Sequence, residues 1–292
     1  MKSAKLILWS ASIFACVLMI SSCTEKETIV VEDNDAPTLY NIPLIKIQNY
    51  VNRVFIDLIG REPIDGEMDD AVSKLKNADL ARSARINLIN ELQTSEAFIE
   101  GDTSYARAYY QQLYNISKVK FLEGVSEVKL RNDFLNTADT QADVDRILAL
   151  LSARQDMQNG QITIDQLFAR MIHNIVFDQI NMNSFNFVNA SFDNLLWRYP
   201  TDAEFTEGYK MVEYNTAGEI FDQIGQTKSD YVAIMTNSRE MFEGILIWTH
   251  QQLLSRRPTT EETFFLLEDF YSHRDIRLIQ QHIMSLDEYA NF

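Results

Sequence analysis

One short pattern occurs three times in this chain of 292 residues, and it constrains the fold more than any other feature. Residues 55–67, 192–204 and 250–262 align without a gap. Each contains two aliphatic residues, a spacer, an arginine, any residue, a proline, and a glutamate at the fourth position after the proline. Internal self-similarity on this scale is typical of repeated supersecondary units. The pattern therefore predicts one helical module that is used three times.

The arginine, proline and glutamate of each copy are the candidate structural residues. They are Arg61, Pro63 and Glu67 in the first copy, Arg198, Pro200 and Glu204 in the second, and Arg256, Pro258 and Glu262 in the third. A basic residue favours the last turn of a helix, and the residue before a proline is pushed out of the α region, so each copy predicts a helix that ends in a turn. We expect a partly buried Arg–Glu pair to fix the angle between two helices at each corner, and we assign neither residue a catalytic role.

The residues after each corner predict how the next helix begins. Thr201 with Glu204, and Thr259 with Glu262, have the spacing of a capping box. In the first copy Ile64 breaks that box and leaves Asp65 to cap one residue later.

Farther downstream, each copy has a companion segment in which serine or threonine precedes an acid and then an aromatic residue. These segments predict helix N-caps with an acid in the first turn. They are residues 94–98, 238–242 and 285–289, with Glu96, Glu240 and Asp287 as the acids.

Composition and periodicity predict an all-α, multi-helical fold with three copies of the helix–Arg-x-Pro corner–helix module. Only 9 glycines and 5 prolines are present, and the apolar residues mostly recur at helical spacing. Between the first two corners we expect helices over residues 104–114, 126–136, 142–157 and 164–180. The asparagine-rich stretch 181–189 predicts a loop that separates two helical subdomains, residues 41–185 with the first copy and residues 186–292 with the other two.

The first residues of the chain resemble a bacterial lipoprotein signal peptide, residues 1–22. Lys2 and Lys5 precede an apolar run over residues 6–20, and small residues then lead to Cys23. The run is shorter than the roughly 20 residues that a spanning helix needs. The resemblance implies that Cys23 is lipidated and anchors the chain at the outer membrane. The alternative is an ordinary secretory signal in which Cys23 is incidental.

Residues 23–40 predict an acidic, flexible tether. This segment contains five acids and no helical periodicity. Acidic residues directly after the lipidated cysteine resemble the signals that export lipoproteins to the cell surface in Bacteroidota. A solvated linker with no sorting role is the alternative, so both faces of the outer membrane stay open and the surface is slightly favoured.

The corners resemble two groups of uncharacterised helical domains. One is a secreted bacterial repeat with an L-L-G-R-x-P-type corner and a downstream S-x-E-F. The other flanks cytochrome-type modules in large planctomycete proteins and has L-x-G-R-x-P-T-x-x-E corners. Residues 57–63 match both groups, and residues 254–262 follow the second. The resemblance covers about half of the mature chain and implies no catalytic residue.

Charge and residue usage exclude several functions. The net charge of −16 argues against nucleic-acid binding, which needs a basic surface. Of the two cysteines, Cys16 lies in the signal and Cys23 carries the lipid, so no thiol or disulfide chemistry is expected. The four histidines lack metal-ligand spacing, and the acids of residues 65–70 lack the spacing of a calcium loop. We therefore predict no cofactor and no metal.

The leading prediction is a lipid-anchored, non-enzymatic binding or scaffold component for an envelope protein partner. A surface glycan-binding lipoprotein is the alternative, with Trp197 and Tyr199 as candidate glycan contacts because exposed aromatic rings stack on sugars. A further alternative is a hydrolase with an unrecognised site.

Overall fold

A computed structural model describes residues 42–97 and 103–292 of this protein. The predicted signal peptide, Cys23 and the acidic tether lie outside the described residues, as does Phe98 of the first companion segment. Residues 42–292 form one compact unit. None of the described helices combines the length and the apolar character that a membrane crossing needs.

Helices make up most of the described chain, and the predicted all-α, multi-helical class is confirmed. The first group is α1 (Leu44–Ile59), α2 (Asp65–Asn77), α3 (Arg82–Thr94) and α4 (Tyr105–Leu122). The middle group is α5 (Glu127–Lys129), a π-helix (Leu130–Leu135), α6 (Gln141–Gln158), α7 (Ile164–Ile172) and α8 (Ile175–Asn181). The last group is α9 (Ser184–Leu196), α10 (Asp202–Tyr214), β1 (Gly218–Ile220), β2 (Gln223–Gly225), α11 (Lys228–Asn237), α12 (Arg239–Leu254), α13 (Thr260–His273), α14 (Ile276–Met284) and α15 (Asp287–Ala290).

The three copies of the module are three four-helix groups. The first copy is α1 to α4, the second is α9 to α12, and the third is α12 to α15. In each copy the corner joins the first helix to the second, and the first helix also packs against the fourth. Because α12 ends the second copy and begins the third, these two copies are continuous in structure.

Each corner begins with a residue in the left-handed conformation. Gly60, Trp197 and Ser255 each directly precede the corner arginine, with φ of 75°, 58° and 57°. Their N–H groups bond to carbonyls four residues earlier and close the last turn. A Cβ at Gly60 would lie 2.8 Å from Oε1 of Gln112, so a larger residue there would displace the end of that side chain. A left-handed residue followed by proline three residues later stops each helix at the same point.

The predicted boundary at residues 185/186 falls inside α9. Helix α14 packs on α3, and α15 packs on α1, so the ends of the described chain share one core. Tyr289 joins them directly, since its hydroxyl donates to Oδ2 of Asp57 at 2.7 Å and its carbonyl accepts from Arg53 at 2.9 Å. We therefore describe residues 42–292 as one helical body.

The middle of the chain departs from the expected elements in four places. The expected helix 104–114 continues to Leu122, and the expected helix 126–136 is a short α-helix followed by a π-helix. The predicted helix 164–180 is broken at His173, because Asn174 turns the chain and caps α8 with its side chain. The expected loop 181–189 is mostly helical, since Asn183 caps α9 and Asn189 bonds to the carbonyl of Phe185. Asparagine side chains that bond to nearby backbone groups support helix ends as readily as loops.

A short hairpin separates α10 from α11. Strands β1 and β2 pair antiparallel with Gly218 opposite Gly225. Phe221 and Asp222 form the two-residue turn with φ of 52° and 58°. A type I′ turn needs positive φ at both positions and usually contains asparagine or glycine, which explains why this sequence did not predict a hairpin.

Candidate functional site

The three corners bring each arginine onto its glutamate. Nη1 and Nη2 of Arg61 lie 2.7 Å from the two carboxylate oxygens of Glu67. The matching distances are 2.8 and 2.6 Å from Arg198 to Glu204, and 2.8 and 2.7 Å from Arg256 to Glu262. Such bidentate pairs are among the stronger and more directional contacts in proteins.

The glutamate of each pair also caps the second helix. One of its oxygens accepts from the N–H of Thr201 at 2.8 Å in the second copy and of Thr259 at 2.7 Å in the third. Both threonine hydroxyl oxygens accept in turn from the glutamate N–H, so the two predicted capping boxes are confirmed. In the first copy Ile64 occupies the cap position and only the Glu67 half of the box exists. Asp65 is the first residue of α2 and does not cap it.

A second carboxylate completes the second and third corners. Glu240 accepts from Nε and Nη2 of Arg198, the latter at 2.8 Å. Glu288 accepts from the same two nitrogens of Arg256, both at 2.7 Å. Each of these arginines therefore lies between two carboxylates that come from different helices.

Of the three predicted companion caps, Ser238 is confirmed and Thr94 is wrong, because Thr94 ends α3 and Ser104 caps α4. The third companion is shifted by one residue. Helix α15 is capped at Leu286 instead of Ser285, which places Glu288 on the corner and turns Asp287 toward Arg85 at 2.7 Å. In the first copy Glu96 accepts from Ser104 at 3.2 Å and does not reach the corner. There the hydroxyl of Tyr105 donates to Glu67 at 2.9 Å instead.

The corner electrostatics support structural roles. The hydrogen bonds from Arg198 lower the pKa of Glu204 to about 2, and those from Arg256 do the same for Glu262. The bonds to Glu240 and Glu204 raise the pKa of Arg198 above its ordinary value. A general acid or base works best with a pKa near the working pH. These groups are held ionised and are bonded to each other, which suits a fixed corner.

Trp197 and Tyr199, the candidate glycan contacts, lie in different environments. Trp197 is half-buried at the end of α9, and its Nε1 is enclosed with no hydrogen-bond partner among the described residues. Tyr199 is 72% exposed, and no aromatic ring of the described chain stacks on it. The two rings do not form a shared flat surface.

A row of aromatic side chains lies elsewhere in the second copy, with two exposed ends, Phe185 and Tyr214, and two half-buried middle rings, Phe205 and Tyr209. The ring centroids of Phe185 and Phe205 are 4.9 Å apart, those of Phe205 and Tyr209 are 5.7 Å apart, and those of Tyr209 and Tyr214 are 5.6 Å apart. Phe185 is 57% exposed and Tyr214 is 64% exposed. We call these four side chains, Phe185, Phe205, Tyr209 and Tyr214, the aromatic strip.

The planes of neighbouring rings in the strip are inclined at different angles. Phe205 and Tyr209 are nearly parallel, at 20°, but Phe185 meets Phe205 at 61° and Tyr214 meets Tyr209 at 86°. An edge-to-face arrangement is favourable for aromatic contacts and gives a ridged apolar surface. The strip is therefore a partly exposed hydrophobic patch whose neighbouring rings differ in orientation.

The strip was partly visible in the sequence. Phe205 and Tyr209 are four residues apart, which places them on one face of a helix. Phe185 comes from the start of α9, so its contact with Phe205 depends on how two helices pack. Trp197 and Tyr199 flank the corner arginine in sequence, but the first is half-buried and the second is exposed.

The described residues contain no group of three or more His, Cys, Asp or Glu side chains arranged to hold a metal ion. Burial lowers the pKa of His173 to about 4, which keeps that imidazole neutral near pH 7. His250 is buried and bonds through Nδ1 to the carbonyl of Leu246 at 2.8 Å. These two histidines serve the packing of helices.

Comparison with protein-family models, with curated proteins and with solved structures finds no match for this chain.

Proposed function

We propose that this protein is a lipid-anchored, non-enzymatic binding component of the outer membrane that docks an envelope protein partner through the aromatic strip. Cys23 is the proposed anchor, on the basis of the lipoprotein-like residues that precede it. The single observation that supports the binding role is the strip itself. Folded proteins rarely expose large contiguous apolar patches, and those that they do expose are commonly interaction sites.

The ridged shape of the strip favours a protein over a glycan. Phenylalanine and tyrosine are enriched at protein interfaces, where their large rings fill pockets on the partner. Sugars stack on ring faces that point the same way, whereas Phe185 and Tyr214 turn edges toward their neighbours. A partner that offers apolar pockets between its own side chains fits this surface better than a row of sugar rings.

Charge adds a condition on that partner. The chain carries a net charge of −16, and the exposed Asp202 and Glu213 lie at the two ends of α10. Complementary charge guides association and suppresses wrong partners. The proposed partner surface therefore has apolar pockets with basic groups around them.

Glycan binding is the second candidate, because the strip contains the exposed Tyr214 and the half-buried Tyr209, and tyrosine rings stack on sugars. The hydrolase alternative gains no support from the corner glutamates, since each is bonded to an arginine.

Site-specific photocrosslinking in native membranes tests the docking proposal. A photoreactive phenylalanine analogue replaces Tyr209 in the full chain, and the matched control places it at Phe264 on α13, which is 84% exposed. We expect the crosslinker at 209 to capture one envelope protein that position 264 does not capture. The purified partner should then bind the Phe205→Ser variant at least about tenfold more weakly than the unmodified protein, the loss expected for an interface hot spot.

Identical crosslinked proteins at positions 209 and 264, or unchanged partner affinity of Phe205→Ser, would contradict the docking proposal. A glycan array separates the second candidate. Binding of a glycan that is lost in Tyr209→Ser and kept in Phe264→Ser would support glycan recognition at the strip instead.

A further inference from the structure

A pocket lies between the first and third copies of the module. Its walls come from α1 and α4 of the first copy and from α12 and α14 of the third. Its volume is about 140 Å³. A cavity of about 150 Å³ in another protein is large enough to hold benzene. The pocket can therefore hold a small molecule, and it shares no residue with the aromatic strip.

Apolar side chains form one part of the pocket wall. They are Ile56, Ile116, Trp248, Leu253 and Ile276. Trp248, Leu253 and Ile276 are buried, whereas Ile56 is 44% exposed and lies where the pocket opens to solvent. Ligand pockets commonly combine such apolar walls with a few polar groups that orient the ligand. A ring or a branched alkyl group suits this part of the pocket.

Gln280 brings a buried amide to the same pocket, since it lines the wall and is only 7% exposed. Both hydrogen bonds that its side chain makes with described residues are accepted by Oε1, from the hydroxyl of Tyr109 at 2.6 Å and from Nε2 of Gln93 at 3.1 Å. Nε2 of Gln93 also lies 3.4 Å from the carbonyl of Arg277, which can only accept, so the amide orientation is fixed. Nε2 of Gln280 is therefore left without an acceptor among the described residues.

This unbonded donor is what points to a ligand. Most buried polar groups in proteins have a hydrogen-bond partner, and a donor without one costs free energy. Nε2 of Gln280 is not one of the fully enclosed polar atoms that lack a partner, so it stays accessible from the pocket that Gln280 lines. A molecule in the pocket that offers an oxygen acceptor would complete the hydrogen bonding of this amide.

Asp57 contributes an acceptor from α1. Its hydrogen bond with the hydroxyl of Tyr289 and its ion pair with Arg53 both use Oδ2, which leaves Oδ1 for another donor. A carboxylate in the wall also repels an anionic ligand. The pocket thus offers an amide donor, a carboxylate acceptor and apolar walls.

We propose that this pocket binds a small, uncharged carboxamide whose apolar body has about the size of benzene. The carbonyl oxygen accepts from Nε2 of Gln280, the amide N–H donates to Oδ1 of Asp57, and the body packs on Trp248 and Ile116. Because the ligand contacts the first and third copies at once, it stabilises the packing between them. This proposal is independent of the docking role of the aromatic strip.

A comparison of three ligands on the folded full chain tests this site. Benzamide, toluene and benzoate share one ring and differ in the group attached to it. NMR follows the indole N–H signal of Trp248, and that of Trp197, which does not line the pocket, is the internal control. We expect benzamide at up to about 20 mM to shift the Trp248 signal in a saturable way, since an affinity in the millimolar range suits a ligand of this size.

The relative affinities test the polar contacts. Benzamide should bind at least about fivefold more tightly than toluene, which offers no hydrogen bond, and at least about tenfold more tightly than benzoate, whose charge Asp57 repels. No saturable shift with benzamide, or an affinity for toluene or benzoate equal to that for benzamide, would overturn the proposal. The unmodified protein alone decides these outcomes.

A pair of variants on α4 then tests the location. Ile116→Trp fills the pocket and should weaken benzamide binding at least about tenfold. Val119→Trp is the matched control, because Val119 lies on the same helix, is 67% exposed and does not line the pocket, so its affinity should stay unchanged. Equal affinities of the two folded variants would show that benzamide binds elsewhere and would overturn the assignment of this pocket.

Discussion

The first and second corners contain the same arginine, proline and glutamate, yet they hold the arginine differently. Arg198 lies between two carboxylates, Glu204 and Glu240, whereas Arg61 pairs with Glu67 alone among the described residues. Glu67 is the most enclosed of the three corner glutamates, with a side chain 5% exposed, and it takes a hydroxyl from Tyr105. The third corner follows the second, with Glu288 in the place of Glu240.

This difference separates two parts of the corner. The Arg-x-Pro and the glutamate after it are close in sequence, and they produce the same local geometry in all three copies. The contact to the fourth helix comes from far along the chain and is made with either an acid or a tyrosine. The arginine, proline and glutamate determine the geometry of the turn. The acid or tyrosine from the fourth helix then bonds this turn to the rest of the module.

Removing Arg198 should have the largest effect. Arg198→Ala leaves Glu204 and Glu240 facing each other without a counter-charge, so we expect a loss of about 3 kcal/mol in the free energy of unfolding. Arg61→Ala should cost less, about 2 kcal/mol, because one carboxylate is left and it keeps the bonds from Tyr105 and the N–H of Ile64. Urea unfolding at pH 7 measures both.

Arg239→Ala is the matched control for these variants. Arg239 pairs with Glu268 on the surface, where both side chains are more than half exposed. Such pairs contribute little, so the control should change stability by less than about 0.5 kcal/mol. If Arg61→Ala and Arg198→Ala lowered the free energy of unfolding equally, the second carboxylate would make no difference to the stability of a corner.

Acid should weaken the second and third corners together. Both Glu204 and Glu262 have a pKa of about 2 in the folded chain, against an ordinary value of 4.5. A lowered folded pKa means that the stabilisation is complete above about pH 4.5 and is lost as the pH falls toward 2. The Glu204→Gln/Glu262→Gln variant should lose less stability than the unmodified protein between pH 5 and pH 3. Equal losses of stability in the two proteins over that range would contradict the lowered pKa of Glu204 and Glu262.

The corners also show how far the sequence could predict this structure. Arg–Glu spacing and the two threonine caps are local, and both are found as expected. The third companion was misplaced by one residue, because Leu286 caps α15 through its backbone conformation although it offers no side-chain acceptor. The aromatic strip depends on how α9 packs against α10 across the second corner, and Tyr289 joins the two ends of the described chain. Local patterns carry no information on such contacts.

Tyr105 offers a smaller test, specific to the first corner. Tyr105→Phe removes the hydroxyl that donates to Glu67 and keeps the ring, which meets Phe55 edge-on at 6.0 Å. We expect a loss of about 1.5 kcal/mol, the lower end of the net contribution of one hydrogen bond to a charged acceptor. Tyr199→Phe removes an exposed hydroxyl at the second corner and should leave thermal stability unchanged. Equal effects of the two variants would mean that the first corner does not depend on Tyr105.

The smallest expected effect is a gain, and it comes from giving the first corner the cap that the other two have. Ile64 has φ −76° and ψ 165°, close to the −69° and 163° of Thr201 and the −73° and 165° of Thr259. Ile64→Thr would therefore place a hydroxyl where it can accept from the N–H of Glu67, without a change of backbone. A threonine cap stabilises a helix start by about 0.5–1 kcal/mol, and Ile64 is already exposed, so little apolar burial is lost. Ile64→Val is the control, because it keeps the branched shape without the hydroxyl. A rise in melting temperature in Ile64→Thr but not in Ile64→Val would show that the three corners share one capping geometry, and equal melting of the two variants would show that they do not.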